Sequence, residues 1–506
     1  MSDHVSTTLG QLVDVLRVAG VSTDLRGAED VSVSGTSSDS REVRPGDVFL
    51  AWKGARLDGH GFVEDARDRG ARAAVVERYV DVDISQIRVP NGRRAAALIA
   101  HFLAGEPSRS LRVTAVTGTN GKTTTSLLIR HILSLRGPSA ALGTLGLTGP
   151  DGRVRAGSEG LTTPGPVELA RLLASLVAEG VTSVSLEASS HALDQRRLDG
   201  IRVDACVFTN LTRDHLDYHQ TLASYREAKS RLLLLLRDEG GAVVNGADPA
   251  WAELPAIPGR LIVTRIQGEP VPGRPSSTGE ALPDLVADDL QSTGEGTRFA
   301  LRWGREEAEV ALPLLGRFNV ENALAAIGAT LLLGLDLDEC AGALSDVPSP
   351  SGRMEVTVRE PVPVVLDYAH TPHALARLLE TVRPLYEGRI ILVFGAGGDR
   401  DREKRAEMGA MALRGADLPI VTSDNPRTEN PDAIIDDILS GMQGGAYERV
   451  TDRREAIERA LHLARPGDVV LLAGKGHESY QIVGDERRPF DERKVIREIL
   501  ASGRLA

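Results

Sequence analysis

Val113-Thr114-Ala115-Val116-Thr117-Gly118-Thr119-Asn120-Gly121-Lys122-Thr123-Thr124-Thr125 is a short apolar run that enters a glycine-bearing loop, and an apolar helical period through Leu127, Leu128 and Ile132 follows it. Strand, loop and helix in that order define a phosphate-binding unit of an α/β sheet. The glycines let backbone N–H groups converge on an anion, and the Lys122 ammonium reaches the outer phosphates. The Thr123 hydroxyl can ligate Mg²⁺, and the helix N-terminus favours the same negative charge. The general pattern places a glycine five residues before the Gly-Lys pair. Here that position is Val116, so the loop is a variant. ATP is the expected ligand.

The surrounding chain is long enough to carry more than this one unit. At roughly 150 residues per domain, 506 residues correspond to about three domains. The 59 Lys and Arg against 71 Asp and Glu give a net charge of −12, the wrong sign for a nucleic-acid or anionic-membrane binder. A polyanionic ligand must therefore be held by local groups. Two cysteines, Cys206 and Cys340, form neither a disulfide framework nor a metal-ligand spacing. The N-terminal Met-Ser-Asp-His-Val lacks a basic segment leading into an apolar one, and the run Leu232 to Leu236 is too short to span a bilayer. A cytoplasmic protein is expected, without nucleic-acid or membrane partners.

Residues 1–107 begin with a helical pattern (Leu9, Leu12, Val15, Leu16) and continue through strand-like Asp47–Ala51 and Ala73–Val76, a small α/β unit. Gly105-Glu106-Pro107-Ser108 reads as a linker. Over 108–347, strand-like Ser183–Leu186 and Ala205–Phe208 alternate with helices, the pattern of a mostly parallel sheet. Gly268 to Gly279, rich in Pro, Gly and Ser, reads as an exposed excursion. After Val347–Gly352, strand signals at Val364–Leu366, Ile390–Phe394 and Val469–Leu472 define a third α/β unit, 348–506. Its loop Gly395–Arg400 resembles a dinucleotide fingerprint, but Arg400 stands where the third glycine belongs, which disfavours nicotinamide binding.

Two loops face the phosphate loop in this scheme. Leu186-Glu187-Ala188-Ser189-Ser190-His191 ends an apolar strand with a carboxylate, making Glu187 the candidate second metal ligand. Phe208 to His219 then packs Asn210, Arg213, Asp214, His215, Asp217 and His219 into one loop, although any single histidine there can equally be solvated.

Together these residues resemble the ATP-dependent Mur ligases of peptidoglycan synthesis and cell-wall biogenesis. The resemblance rests on the 117–124 loop, Glu187, the Asn-Leu-x-x-Asp-His loop around His215, Asn319-Val320-Glu321-Asn322, Arg353, and Asp367-Tyr368-Ala369-His370. Asp39-Ser40-Arg41, Pro45-Gly46-Asp47 and Asp58-Gly59-His60 resemble the family's uridine-nucleotide-binding first domain, so nearly the whole chain is covered. Asp424-Asn425-Pro426-Arg427 and Gly474-Lys475-Gly476-His477-Glu478 resemble the branch that adds meso-diaminopimelate as the third residue of the stem peptide.

The resemblance implies a three-domain α/β architecture: a small N-terminal domain for the UDP-sugar, a central P-loop ATPase-like sheet, and a Rossmann-like C-terminal domain for the amino acid. It implies an acyl-phosphate mechanism that releases ADP and phosphate. Gly118, Thr119, Asn120, Gly121, Lys122, Thr123, Thr124, Asn319, Asn322, Arg353 and Asp367 are implied for ATP, with Thr123, Glu187 and His215 near Mg²⁺. Ser40, Thr162, Thr163, Ser189, Gln195 and Arg197 are implied for the UDP-muramoyl-dipeptide, and Arg400, Asp424, Asn425, Pro426, Arg427, Gly474 and Glu478 for diaminopimelate.

Read from its helix alone, Lys229 is a surface lysine. The resemblance instead implies a CO₂-derived carbamate on Lys229 that supports a second Mg²⁺. Asn319 has the alternative of capping its helix, Asp367 of being a plain strand-end carboxylate, and Thr162 and Thr163 of being turn residues before Pro164. Small-molecule substrates and a monomer are expected. The competing functions are an L-lysine-adding ligase, a folylpolyglutamate synthase-like ligase, and a P-loop switch that hydrolyses ATP without forming an amide.

Overall fold

Val113, Thr114, Ala115 and Val116 are all fully buried in the strand Arg112–Thr117, as a strand covered on both faces by helices requires. In the computed structural model, which describes residues 7–54, 57–155, 161–280, 282–293, 295–358 and 360–502, this strand lies inside an 11-stranded sheet. Met1–Val5, read above for a leader, lies outside the described residues. Ser183–Glu187 and Val203–Phe208 flank the strand in parallel, and Ser139–Gly143, Leu236–Asn245 and Arg260–Ile266 extend the parallel core. Antiparallel ribbons close both ends, Gly146–Thr148 with Val154–Arg155 at one and Leu285–Thr293, Gly296–Trp303 and Glu306–Leu312 at the other. The sequence reading did not anticipate these ribbons. One face of the sheet is covered by the helices Lys122–Leu133 and Arg317–Leu332, which share a core through Leu128, Ile132, Val320 and Leu324. Gly268 to Gly279 holds no helix or strand beyond an isolated bridge at Ser277.

The N-terminal sheet has five strands in the order Asp24–Arg26, Ser85–Arg88, Ala73–Val76, Asp47–Leu50 and Gly35–Ser37. The helix Leu9–Val18 is started by a capping box between Thr8 and Gln11 and buries Leu9, Leu12, Val13 and Leu16, so Val13 rather than Val15 completes the stripe. Gly105–Ser108 is not an open linker. Ser108 is fully buried, its Oγ lies 2.8 Å from His101 Nε2 and accepts from Arg202 N at 3.1 Å, and its carbonyl accepts from Arg237. Polar residues that look solvated in sequence are consumed here as partners across a packed joint.

The C-terminal sheet runs Glu355–Val358, Val364–Asp367, Val469–Ala473, Ile390–Phe394, Leu418–Val421 and Glu448–Arg449, parallel except at its first strand. Asp367, Gly395, Thr422 and Gly474 all stand at or just beyond carboxyl ends of strands, where open α/β sheets place ligand-binding residues. No helix among the described residues is long and apolar enough to cross a membrane.

Candidate active site

The phosphate loop is braced by the neighbouring strand end. Thr119 N donates to Asn210 O at 2.7 Å, Asn120 N donates to Asn210 Oδ1 at 2.9 Å, and Thr209 Oγ1 donates to Asn120 O at 2.7 Å. Gly118, at φ +149°, could not carry a side chain, because a Cβ would lie 1.9 Å from Thr209 Oγ1. Gly121 at φ +87° similarly admits Asn322, whose Oδ1 would be 2.3 Å from a Cβ there. Asn322 Nδ2 bonds Asn319 Oδ1 at 3.1 Å, and Asn319 Nδ2 bonds Leu315 O at 2.8 Å. Asn319 therefore lies within the first turn after the Gly316 cap, and the alternative of an Asn319 cap does not hold. Asn210 is a loop brace that the sequence reading quoted without assigning.

Lys122 heads its helix half-buried, with Nζ folded back on Gly118 O at 2.9 Å and Thr119 O at 2.7 Å. Lys229 donates to the same Gly118 carbonyl at 2.7 Å and lies 4.4 Å from the Tyr225 ring centroid. It is 1 % exposed, which overturns the surface-lysine reading. Tyr225, Ala228 and Lys229 form the buried stripe of the helix Leu222–Ser230, and the apolar members at i and i+3 were the available signal that i+4 also points inward. Burial, reinforced by the Lys122 charge, holds the Lys229 ammonium well below the ordinary lysine range.

Glu187 is buried, and its Oε1 and Oε2 accept from Thr144 N at 2.8 Å and Thr144 Oγ1 at 3.0 Å. Gly143 makes room for that carboxylate, since a Cβ there would lie 2.1 Å from Oε1. His215, at φ +53°, has its Nε2 3.5 Å from Asp214 Oδ2, and desolvation lowers its pKa against the pull of that carboxylate. The Thr123 hydroxyl accepts from Arg353 Nη2 at 3.3 Å and has no other hydrogen-bond partner among the described residues. No group of three or more His, Cys, Asp or Glu gathers at ligand spacing among the described residues. This donor set suits Mg²⁺, which takes one or two protein ligands and completes its shell with phosphate oxygens and water.

The loop and the C-terminal sheet line one open cavity, walled by Asn120, Gly121, Thr123, Phe318, Asn322, Arg353, Asp367, His370 and Leu378. Asp367 ends its strand, lines the cavity and accepts from Met354 N at 2.8 Å and Ala369 N at 2.7 Å, while burial raises its pKa. The Arg353 guanidinium lies 4.6 Å from the Tyr368 ring centroid, and its buried Nε has no partner among the described residues. Arg377, one of the cavity residues not anticipated, closes the outer wall by pairing with Glu321.

The residues implied for the muramoyl-dipeptide divide into two places. Thr163 Oγ1 bonds Glu187 O at 2.7 Å and Ser189 Oγ at 3.1 Å, and Thr162 Oγ1 accepts from Thr144 at 3.2 Å. Arg197 ties Thr163 O and Gln195 Oε1, both at 2.7 Å, and has no carboxylate partner among the described residues. Ser40 lies apart, buried in the N-terminal unit beside a groove shared with Phe49 and Trp52.

The residues implied for diaminopimelate do converge. Asn425 Nδ2 bonds Glu478 Oε2 at 2.8 Å, and the buried Lys475, not assigned from sequence, bonds Asn425 Oδ1 at 3.2 Å and Glu478 at 3.0 Å. Gly474 at φ +112° lets Asp424 approach, since a Cβ would lie 2.4 Å from Asp424 Oδ2. The Pro426 carbonyl packs on Gly398. The Arg427 guanidinium donates to Gly398 O at 2.7 Å and the Arg400 guanidinium to the Asp399 carbonyl at 3.4 Å. Two guanidiniums, neither paired with a carboxylate among the described residues, thus face one cluster. Burial and the Arg400 charge lower the Arg427 pKa.

Three family profiles cover most of the chain: the Mur ligase family catalytic domain over 32–102, the Mur ligase middle domain over 116–330, and the Mur ligase glutamate ligase domain over 352–476. The chain belongs to the Mur ligase family. It is 44 % identical to a UDP-N-acetylmuramoyl-L-alanyl-D-glutamate–2,6-diaminopimelate ligase of Gloeobacter violaceus, covering 95 % of this chain and 96 % of that one. It is 42 % identical to the ligase of the same name from Syntrophomonas wolfei, covering 94 % and 96 %. A solved structure of a ligase with this name superposes with a TM-score of 0.66 at 33 % identity, over 99 % of both chains.

Proposed function

We propose that this chain is the ADP-forming ligase that joins meso-diaminopimelate to UDP-N-acetylmuramoyl-L-alanyl-D-glutamate in cytoplasmic peptidoglycan precursor synthesis. The reading is supported by a phosphate loop that lines one cavity with Arg353 and Asp367, and by a separate cluster in the C-terminal unit where the Arg427 guanidinium has no carboxylate partner among the described residues, in a chain that a relative of that name matches over 95 % of its length. Residues 1–107 hold the UDP-sugar, with Ser40 at the nucleotide; 108–347 hold ATP; and 348–506 hold the amino acid. In the central unit, Thr162, Thr163, Ser189, Gln195 and Arg197 orient the muramoyl-dipeptide beside Glu187. Gly118 to Thr124 cradle the phosphates, Asn319 and Asn322 position the helix beside the adenosine, and Asp367 receives the ribose.

The D-glutamyl side-chain carboxylate attacks the γ-phosphorus, and Lys122 and Arg353 neutralise the charge that spreads over the phosphoryl oxygens. The resulting acyl phosphate carries a good leaving group, and the incoming amine displaces phosphate to form the amide. Mg²⁺ held by Thr123 and Glu187, with His215, supplies further charge neutralisation when bound. A buried, easily deprotonated Lys229 is the amine form that reacts with CO₂, and a carbamate there offers the oxygen ligands a second Mg²⁺ wants. Arg427 and Arg400 fork onto the distal carboxylate of diaminopimelate, with Asp424, Asn425, Gly474 and Glu478 around its distal amine.

The test is phosphate release with UDP-muramoyl-dipeptide and, in parallel, meso-diaminopimelate, L-lysine or glutamate. Release that needs both the dipeptide and diaminopimelate is expected. Release without acceptor points to a hydrolytic switch, and equal use of lysine points to the lysine-adding branch.

A further inference from the structure

The helix Arg453–Leu463 opens with a cation on the positive end of its own dipole, and the helix Glu492–Ala501 opens with a carboxylate. The two meet out of water. Arg453 Nε donates to Glu492 Oε1 at 2.8 Å, and both side chains are fully buried. Glu492 Oε2 is buried too and has no hydrogen-bond partner among the described residues. Such a pair is a poor way to hold two helices together, because apolar side chains of similar volume do as well or better. What it accomplishes lies in the rest of the guanidinium.

Arg453 Nη2 donates to Ala473 O at 2.8 Å, and Nη1 donates to Ser423 O at 3.4 Å. Ala473 immediately precedes Gly474 and Ser423 immediately precedes Asp424, so one guanidinium grips the roots of both loops that form the amino-acid cluster. The strands that lead into those loops, Val469–Ala473 and Leu418–Val421, are not neighbours. Ile390–Phe394 lies between them, and each pairs with it rather than with the other. Farther out the loops are joined by side chains, Lys475 and Glu478 both reaching Asn425, and Gln481 Nε2 donates to Asp424 O at 2.9 Å. Arg493, beside Glu492, donates to Gly476 O at 3.3 Å and pairs with Glu355.

Building on the ligase reading above, we propose that Arg453, held by Glu492, is a positioning residue for the amino-acid acceptor: its fork fixes the roots of the 424–427 and 474–478 loops relative to each other. It thereby sets the distance between Arg427 on one loop and Glu478 on the other, the groups that meet the acceptor's distal carboxylate and amine. Buried beneath the loops, the pair acts through them. Three guanidinium nitrogens serve three partners, which the single nitrogen of a lysine does not reproduce. Two opposite charges on one ligand are matched only while both loops stay within roughly 0.5 Å of the productive geometry. A slip at the roots therefore weakens acceptor binding, while the phosphate loop, on a different sheet, keeps its shape.

The experiment compares full-length wild type, E492Q, R453K and I457V by steady-state kinetics with each substrate varied in turn, and by thermal unfolding. I457V removes one buried carbon from the helix that carries Arg453 and serves as the control for simple loss of stability. E492Q and R453K are each expected to raise KM for meso-diaminopimelate about tenfold or more, with KM for ATP and for the UDP-muramoyl-dipeptide within about threefold of wild type. I457V is expected to melt earlier and to keep all three KM values within about twofold. A folded E492Q or R453K whose KM for meso-diaminopimelate stays within about threefold overturns the proposal, as does an equal rise in KM for ATP or the same acceptor defect in I457V. If only one of the two folds, that one decides. If neither folds, the pair serves folding and the proposal is overturned. Wild-type protein that forms no amide with meso-diaminopimelate in the same assay refutes the ligase reading instead, so the two failures are distinguishable.

Discussion

Lys122 and Lys229 point two ammonium groups at one carbonyl oxygen, that of Gly118, and they contribute to the molecule differently. Lys122 is half-buried and satisfied by its own loop, so Lys122→Ala should leave the melting temperature within a few degrees while phosphate release falls by about 10³-fold or more. Lys229→Ala should lose on the order of 100-fold in activity and recover part of it in millimolar acetate or formate, which refill the vacated space with a carboxylate. Mass spectrometry of the wild type under CO₂ that finds no added carboxyl group would count against that account. His101 gives a pH signature unrelated to catalysis. Its folded pKa is held at about 4 by burial, so between pH 6.5 and 4 the unfolded chain binds the extra proton and stability falls as pH falls. The loss is on the order of 3 kcal/mol by pH 4. In urea titrations His101→Gln should be less stable than wild type at pH 7, with the gap narrowing toward pH 4.

At the scale of elements, the strand–loop–helix unit from Arg112 to Leu133 was legible because its apolar run, glycines and helical period are contiguous in sequence, whereas the braces on its loop from Thr209 and Asn210 were not. The loop after Leu418–Val421 is different: Asp424–Arg427 reads locally as a turn, and only the resemblance implied a recognition role, because its partners Lys475 and Glu478 lie 50 or more residues on. There, Arg427→Ala should lower kcat/KM for meso-diaminopimelate by orders of magnitude and leave ATP binding by calorimetry nearly unchanged. Discrimination against lysine, on the order of 10⁴ in a site built for a carboxylate, should collapse with it. What was not legible is what distant elements bring. The inward aim of Lys229 depends on a loop more than 100 residues earlier. Lys475 is buried only because Asn425 and Glu478 close over it. Asn319 looked like a cap because its neighbours are helical, but the chain enters that helix at Gly316, whose φ of +94° few other residues adopt.

Across the whole molecule, two segments that look alike on paper are built differently. Gly105–Ser108 and Gly268–Gly279 are both rich in glycine, proline and serine. The first is locked by His101, Arg202 and Arg237 around the buried Ser108; the second carries mostly exposed residues and no regular element. Brief digestion with a broad-specificity protease should therefore nick the chain within 268–279 and spare 105–108. Such a cut falls between Arg260–Ile266 and Leu285–Thr293, neighbouring strands of one sheet that pair through Thr264–Ile266 and Leu285–Ala287. The clipped protein should run as two bands on a denaturing gel yet elute as a single particle in gel filtration. The two pieces, expressed separately and mixed, should reassemble by strand pairing, which makes this excursion the natural split point for a two-fragment complementation reporter.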